Sequence, residues 1–213
     1  MHGEPTCPRC GEQVRPPGNW SSDWTCPRHG AVDPLRPATL PTPELLRDLA
    51  ERSRVPIWLP WPLPDGWLMT GIRTAGDERT GARAIAVACS GPAPLGGFGE
   101  LVLVAETPGV GLGAGIAGLD GRDPGAGVTD GVPDAKPWVD GHPAPMWSVG
   151  AADDRAVFVG EALGQWLWAV LWPGAAGYLV DEALTIVDLR DPAMERDVPV
   201  GALCPRLVVG PLP

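Results

Sequence analysis

Short apolar runs, separated by turns rich in glycine and proline, recur over most of the chain, and this pattern predicts β-strands. Runs of four to eight residues bounded by such turns are typical of strands. The expected strands are 67–74, 82–90, 101–106, 146–149, 155–160, 165–172 and 183–188. Because short turns separate many of them, the sequence predicts a largely antiparallel sheet with few helices.

The run from Gln165 to Trp172 is apolar at both odd and even positions. A strand with this pattern is covered on both faces and lies in the centre of a sheet. A buried helix is the alternative, because periodicity alone does not separate the two for a short apolar run.

One amphipathic helix is expected after residue 42. Thr42 is a good N-cap residue, Pro43 suits the first helical position, and Glu44 places an acid in the first turn. Four apolar residues then share one face up to about Arg54: Leu45, Leu46, Leu49 and Ala50.

Two segments carry too many prolines for a helix or a central strand. Residues 34–41 are expected to form an extended, semi-rigid connector. Residues 56–64 contain two tryptophans and resemble a polyproline II recognition segment. The favoured alternative is a covered loop whose tryptophans close the edge of the core.

Residues 107–145 are unusually rich in glycine. Within them, residues 113–118 match the pattern G-x-G-x-x-G. A dinucleotide site requires this pattern to open a helix directly after a strand, whereas six residues intervene here. We therefore expect a long mobile loop, and such a loop over a pocket is a place to look for function.

Composition indicates a folded protein. The 213 residues include 29 glycines and 27 prolines, which approaches the content of disordered chains, but also ten tryptophans that require burial. The length suits one substantial core and a small satellite.

Charge and hydropathy exclude several functional classes. The net charge of −10 and the single lysine, Lys136, argue against a nucleic-acid partner. Neither a signal peptide nor a membrane span is expected, since no apolar run is long enough. Five cysteines, three of them in a metal motif, suit a reducing cytoplasm, and Cys89 is expected to be a buried thiol.

The most specific pattern lies at the start of the chain. Cys7-Pro8-Arg9-Cys10-Gly11 is repeated as Cys26-Pro27-Arg28-His29-Gly30, with histidine in place of the second cysteine. Paired ligands separated by two residues are typical of a zinc site. We predict one structural Zn²⁺ held by Cys7, Cys10, Cys26 and His29, with His2 as the only competitor for the fourth position. The alternative is a set of redox-active or unrelated thiols.

Catalytic groups are sparse. His142 is the only histidine outside the N-terminal segment, and it lies in a Gly-His-Pro turn. Paired acids occur at 153–154 and 181–182, but solvated turn positions explain them equally well. Glu161, between two apolar strands, is the acid most worth testing for an altered pKa.

The chain resembles an uncharacterised family of actinobacterial proteins that share an N-terminal Cys-x-x-Cys…Cys-x-x-His knuckle. The resemblance covers nearly the whole chain and lies in residues 7–11, 60–67, 88–92, 94–97, 154–158 and 160–164. It implies no established activity. Some members resemble proteins labelled phosphotransacetylase, but those enzymes are larger α/β proteins and no residue here matches their site.

These observations predict an α+β protein. A zinc ribbon-like module at 1–33 and a proline-rich connector at 34–41 precede a mainly antiparallel domain at 42–213, which contains the loop at about 107–145. The expected function is a non-catalytic binding or regulatory role through a protein partner. The alternative is a small-molecule-binding protein or enzyme with a pocket under that loop.

Overall fold

The computed structural model describes residues 3–19, 21–93, 95–180, 184–194 and 197–209. Expectations that involve His2, Trp20, Asp181, Glu182 or Ala183 fall outside these residues. Strands and helices are numbered below in chain order.

The N-terminal segment forms a small ribbon around the two Cys-x-x-Cys/His turns. Strands β1 (Thr25–Cys26) and β2 (Gly30–Ala31) pair antiparallel around the second turn. Gly11 and Gly30 adopt φ values of 74° and 67°. The glycine after each ligand pair therefore takes the left-handed conformation that the sequence suggests.

A six-stranded antiparallel sheet forms the centre of the molecule. Its strands lie in the spatial order β4-β5-β6-β11-β10-β9. Their bounds are β4 Leu68–Asp77, β5 Gly81–Pro92, β6 Phe98–Glu106, β9 Met146–Ser148, β10 Ala156–Ala162 and β11 Gln165–Trp172. The antiparallel α+β prediction is confirmed, and β11 is the central strand expected at its position.

A smaller four-stranded sheet has the order β3-β12-β7-β8, and only its β7–β12 pair is parallel. Its strands are β3 Trp58–Pro60, β7 Trp138–Val139, β8 His142–Pro143 and β12 Thr185–Asp188. The proline-rich segment 56–64 thus supplies a short edge strand with a buried Trp58. Because residues 55–60 are all buried, this strand is not an exposed recognition motif.

Two α-helices and two short 3-10 helices complete the described part of the fold: α1 Pro43–Arg52, α2 Leu112–Ala117, Gly174–Leu179 and Pro205–Leu207. Thr42 caps α1, and its hydroxyl accepts a hydrogen bond from the Leu45 amide at 3.2 Å. The α1 prediction is confirmed, except that the helix ends at Arg52 instead of about Arg54. No helix in the described part of the chain has the length and apolarity to cross a membrane.

The expectation of one long loop at 107–145 is wrong, because part of the segment is regular secondary structure. This segment contains α2, β7 and β8, and α2 is buried. The glycine-rich sequence conceals the helix because glycine is a poor helix former, and packing against the sheet stabilises it instead.

Side chains cover both faces of the large sheet. One face packs against α1 and the small sheet, through residues such as Leu46, Leu59 and Ile186. The other packs against α2, with Leu112 and Ile116 in contact with the core around Trp168. The connector 34–41 runs along the edge strand β4 and forms bridges to it, which protects that edge from pairing with another chain.

Candidate metal centre

Three thiols and one imidazole converge between the two N-terminal turns. The sulfur atoms of Cys10 and Cys26 lie 3.8 Å apart, and the Nδ1 atom of His29 lies 3.4 Å from Cys7 Sγ and 3.6 Å from Cys26 Sγ. All four donor atoms lie within 4.8 Å of one another. Tetrahedral Zn²⁺ with ordinary bond lengths requires separations of about 3.8 Å between sulfurs and about 3.6 Å between sulfur and nitrogen. The cluster therefore fits a metal ion of that size and geometry.

Backbone amides support the first sulfur of each pair. Burial raises the pKa of the Cys7 thiol to about 12, against the effect of the Arg9 and Cys10 amides that face its sulfur. Burial acts in the same direction on Cys26, but the amides of Arg28 and His29 and the neighbouring thiols lower its pKa. Amides that point at both sulfurs would stabilise thiolates in a metal-bound cluster.

The cluster is partly enclosed by its own small core. Cys7 and Cys26 are buried and pack with Val14, Trp24 and Val32. His29 is exposed at the surface. With four protein donors, the arrangement leaves no coordination position for a substrate, which is the property of a structural site.

The metal cluster lies against α2. An ideal Cβ at Gly115 would lie 2.3 Å from the Pro8 carbonyl oxygen, so only glycine permits this approach. The Arg9 guanidinium donates hydrogen bonds to the Gly109 and Val110 carbonyls at 2.8 and 3.2 Å. These contacts hold the first Cys-x-x-Cys turn against the segment that leads into α2.

The G-x-G-x-x-G pattern is explained by packing. An ideal Cβ at Gly113 would lie 2.3 Å from the Trp168 ring, and Gly118 ends the helix with a φ of 73°. The N-terminus of α2, where a dinucleotide phosphate would bind, is occupied by the Glu106 carboxylate. The structure thus argues directly against dinucleotide binding here.

Sequence reasoning missed Glu106, which is fully buried. Its Oε2 accepts hydrogen bonds from the Leu112 and Gly113 amides at 2.7 and 3.3 Å, and its Oε1 accepts one from Trp168 Nε1 at 2.8 Å. Burial raises the pKa of this carboxyl to about 7, although the three N–H groups act to lower it. Its position at the end of a strand before a glycine-rich run was the only available signal.

Among the described residues, the acids and the histidine singled out in the sequence do not form one site. His142 lies in β8 of the small sheet, and Glu161 lies in β10 of the large sheet; both are exposed. Asp154 pairs with Arg155 at 2.7 Å, and this hydrogen bond lowers the pKa of its carboxyl. A further acid, Asp188 at the end of β12, accepts a hydrogen bond from the Ile57 amide at 3.0 Å. These residues therefore serve separate local contacts.

Two concave apolar surfaces lie away from the metal cluster. A cavity of about 940 Å³ separates residues 133–136 from Phe158 and Tyr178. A second, of about 550 Å³, lies between the ends of β4, β5 and β6 and residues 201–205. We call the second one the apolar groove.

A family model described as a family of unknown function (DUF6758) matches residues 1–207. The chain belongs to this family. The matched region includes the metal cluster and nearly all of the main domain. No curated protein and no solved structure matches the chain.

Proposed function

We propose that the protein is a non-catalytic binding or regulatory protein of the cytoplasm, stabilised by one structural Zn²⁺ and acting through a protein partner. The zinc ligands are Cys7, Cys10, Cys26 and His29. Three soft thiolates and an imidazole at tetrahedral separations favour zinc over hard cations such as Mg²⁺ and Ca²⁺.

The apolar groove is the observation that carries the partner proposal. Phe98 is 65 % exposed, Leu203 46 % and Leu68 38 %, and all three line the groove. Exposed apolar side chains grouped in a concave surface are typical of protein interaction sites. Its volume of about 550 Å³ leaves room for an apolar anchor side chain from another protein.

Charge indicates the chemistry of that partner. The chain carries a net charge of −10, although Arg206 already pairs with the Glu100 carboxylate in the groove, at 2.8 Å. Complementary charge accelerates association and favours the correct partner. The expected partner therefore presents an apolar anchor flanked by basic residues, and no nucleic acid is expected to bind.

Site-specific photo-crosslinking in an actinobacterial host, which the sequence resemblance favours, tests this proposal. A photoreactive residue at position 98 should give one defined product whose partner carries a basic, apolar-anchored segment. The same residue at Val132, which is 88 % exposed but outside the groove, is the control. Identical products at both positions, or none at 98, would contradict the proposal.

The cavity at residues 133–136 favours a second candidate function, a small-molecule-binding protein or enzyme. Its wall includes Phe158 and Tyr178. Residues 133–136, which belong to the segment 107–145 that was expected to cover a pocket, form another part of the wall. Neither His142 nor Glu161 lines it, so binding is better supported than catalysis. Native mass spectrometry of the purified protein should then show a retained small molecule that Tyr178→Ala weakens. A ligand-free spectrum would count against this candidate.

A further inference from the structure

A third cleft, distinct from the two apolar surfaces, lies at the joint between the metal cluster and the main domain. It measures about 450 Å³, which is within the range of metabolite-sized sites. Four arginines line it, Arg9, Arg28, Arg155 and Arg206, against one exposed aspartate, Asp120. In a chain with 16 basic residues and a net charge of −10, four arginines at one cleft are a local concentration of guanidinium groups.

The four arginines come from distant parts of the sequence. Arg9 and Arg28 occupy the same position in the two Cys-Pro-Arg turns, so the repeat places one guanidinium from each turn at the cleft. Arg155 directly precedes β10, and Arg206 belongs to the C-terminal 3-10 helix. The cleft is thus shared between the metal module and the main domain.

Neighbouring groups hold two of the guanidinium groups in place. Arg155 and Arg206 lie over the Trp172 ring at 5.4 and 5.2 Å from its centroid. Arg155 also donates to the Ala117 carbonyl at 3.3 Å, and Arg206 Nε pairs with Glu100 at 2.8 Å. An arginine side chain that stacking and hydrogen bonds already hold in place loses little further conformational entropy when it binds a ligand.

We propose that this cleft binds a small multivalent oxyanion, a phosphate ester or a polycarboxylate, between the metal module and the main domain. Guanidinium groups match the geometry of phosphate and carboxylate oxygens and donate to them in pairs. The acids that hold these arginines, Glu12, Asp154 and Glu100, together with Asp120, equal the four arginines in number. A ligand with several negative charges is therefore required to compete with them.

Isothermal titration calorimetry on the zinc-loaded full chain tests the proposal, with inorganic pyrophosphate and citrate as probes at low ionic strength. Saturable binding at one site is expected for at least one probe. Pyrophosphate alone indicates a phosphate ester, citrate alone indicates a polycarboxylate, and binding of both indicates selection for multivalent oxyanions in general.

The chain offers a matched pair of variants. Arg28 and Arg52 are both 70 % exposed, and the Nε of each lies 2.9 Å from one carboxylate. Of these two arginines, only Arg28 lines the cleft. Arg28→Gln should weaken probe binding about tenfold, because it removes a charge-assisted contact, whereas Arg52→Gln should leave binding within about twofold of wild type.

Arg206→Gln on the opposite wall should weaken binding by a similar factor, and zinc content and circular dichroism verify that each variant is folded. If Arg206→Gln does not fold, the Arg28 and Arg52 pair still decides the question. Absence of saturable heat with both probes would overturn the proposal. Equal weakening by Arg28→Gln and Arg52→Gln would also overturn it, because that result indicates only non-specific attraction.

Discussion

The Glu106 carboxylate accepts a hydrogen bond from the Trp168 indole at 2.8 Å in the interior of the protein. Its other oxygen accepts the Leu112 amide at the start of α2. One buried side chain therefore joins β6, β11 and α2, and α2 in turn supports the metal cluster through Gly115. This short helix is therefore one connection between the sheet and the metal module, beside the hydrogen bonds that Arg73 and Arg79 donate to Thr6 and Ser22.

Glu106 should make the stability depend on pH. Burial raises the pKa of its carboxyl from 4.5 to about 7, so the folded state binds this proton more tightly than the unfolded state. The stabilising contribution is then fully present below the unfolded pKa and is lost as the pH rises through about 7. Glu106→Gln removes this titration.

Urea unfolding of wild type and Glu106→Gln across this pH range measures the effect. The variant should be less stable overall, because the side-chain NH2 group of the glutamine would face one of the three N–H donors. Two donors cannot form a hydrogen bond, so that buried N–H would lose its acceptor. The difference between the two free energies of unfolding should shrink as the pH rises. A difference that is independent of pH would show that Glu106 does not titrate as stated.

Gly113→Ala should destabilise the main domain. The added Cβ would lie 2.3 Å from the Trp168 ring, so α2 would have to move away from the sheet. Overpacking of this kind costs about 1–3 kcal/mol in the free energy of unfolding, measured by urea titration. Gly150→Ala is the control, because nothing lies within 4 Å of its added Cβ. Equal stability of the two variants would contradict the close packing of α2.

Gly115→Ala should loosen the metal module without releasing the metal. Its Cβ would meet the Pro8 carbonyl oxygen at 2.3 Å, so the first ligand turn must separate from α2. Hydrogen exchange should become faster in residues 3–19 while zinc content stays constant. Unchanged exchange in this segment would show that the module does not rest on α2.

Cys10→Ser should release the metal and unfold residues 1–33 while the main domain stays folded. Structural zinc contributes on the order of 10 kcal/mol to small modules of this kind. Two separate transitions in wild-type protein, of which only the second persists in the variant, are the expected outcome by calorimetry. A single cooperative transition of the whole chain in the variant would defeat the division into two modules.

The strands and the grouping of the metal ligands could be predicted because their signals are local. Continuous apolar runs mark β5 and β11, and the two-residue spacing of Cys7 and Cys10 brings their sulfurs together in one turn. The same argument placed Cys89 in the core, where it is 1 % exposed.

The parts that could not be predicted depend on tertiary contacts. Helix α2 contains two glycines, which disfavour a helix in isolation. These glycines let the helix pack directly against Trp168 and the Pro8 carbonyl, and this packing stabilises it. Glu106 resembles an ordinary strand-end acid until α2 buries it. The cleft arginines are separated by up to nearly the full length of the chain, so only docking of the metal module brings them together.

Zinc content of protein purified without added metal tests the central claim most directly. Elemental analysis should find one zinc per chain, and none in Cys10→Ser. Protein that contains no zinc, yet keeps residues 3–19 protected from hydrogen exchange, would contradict the assignment of Cys7, Cys10, Cys26 and His29 as the ligands of a structural metal.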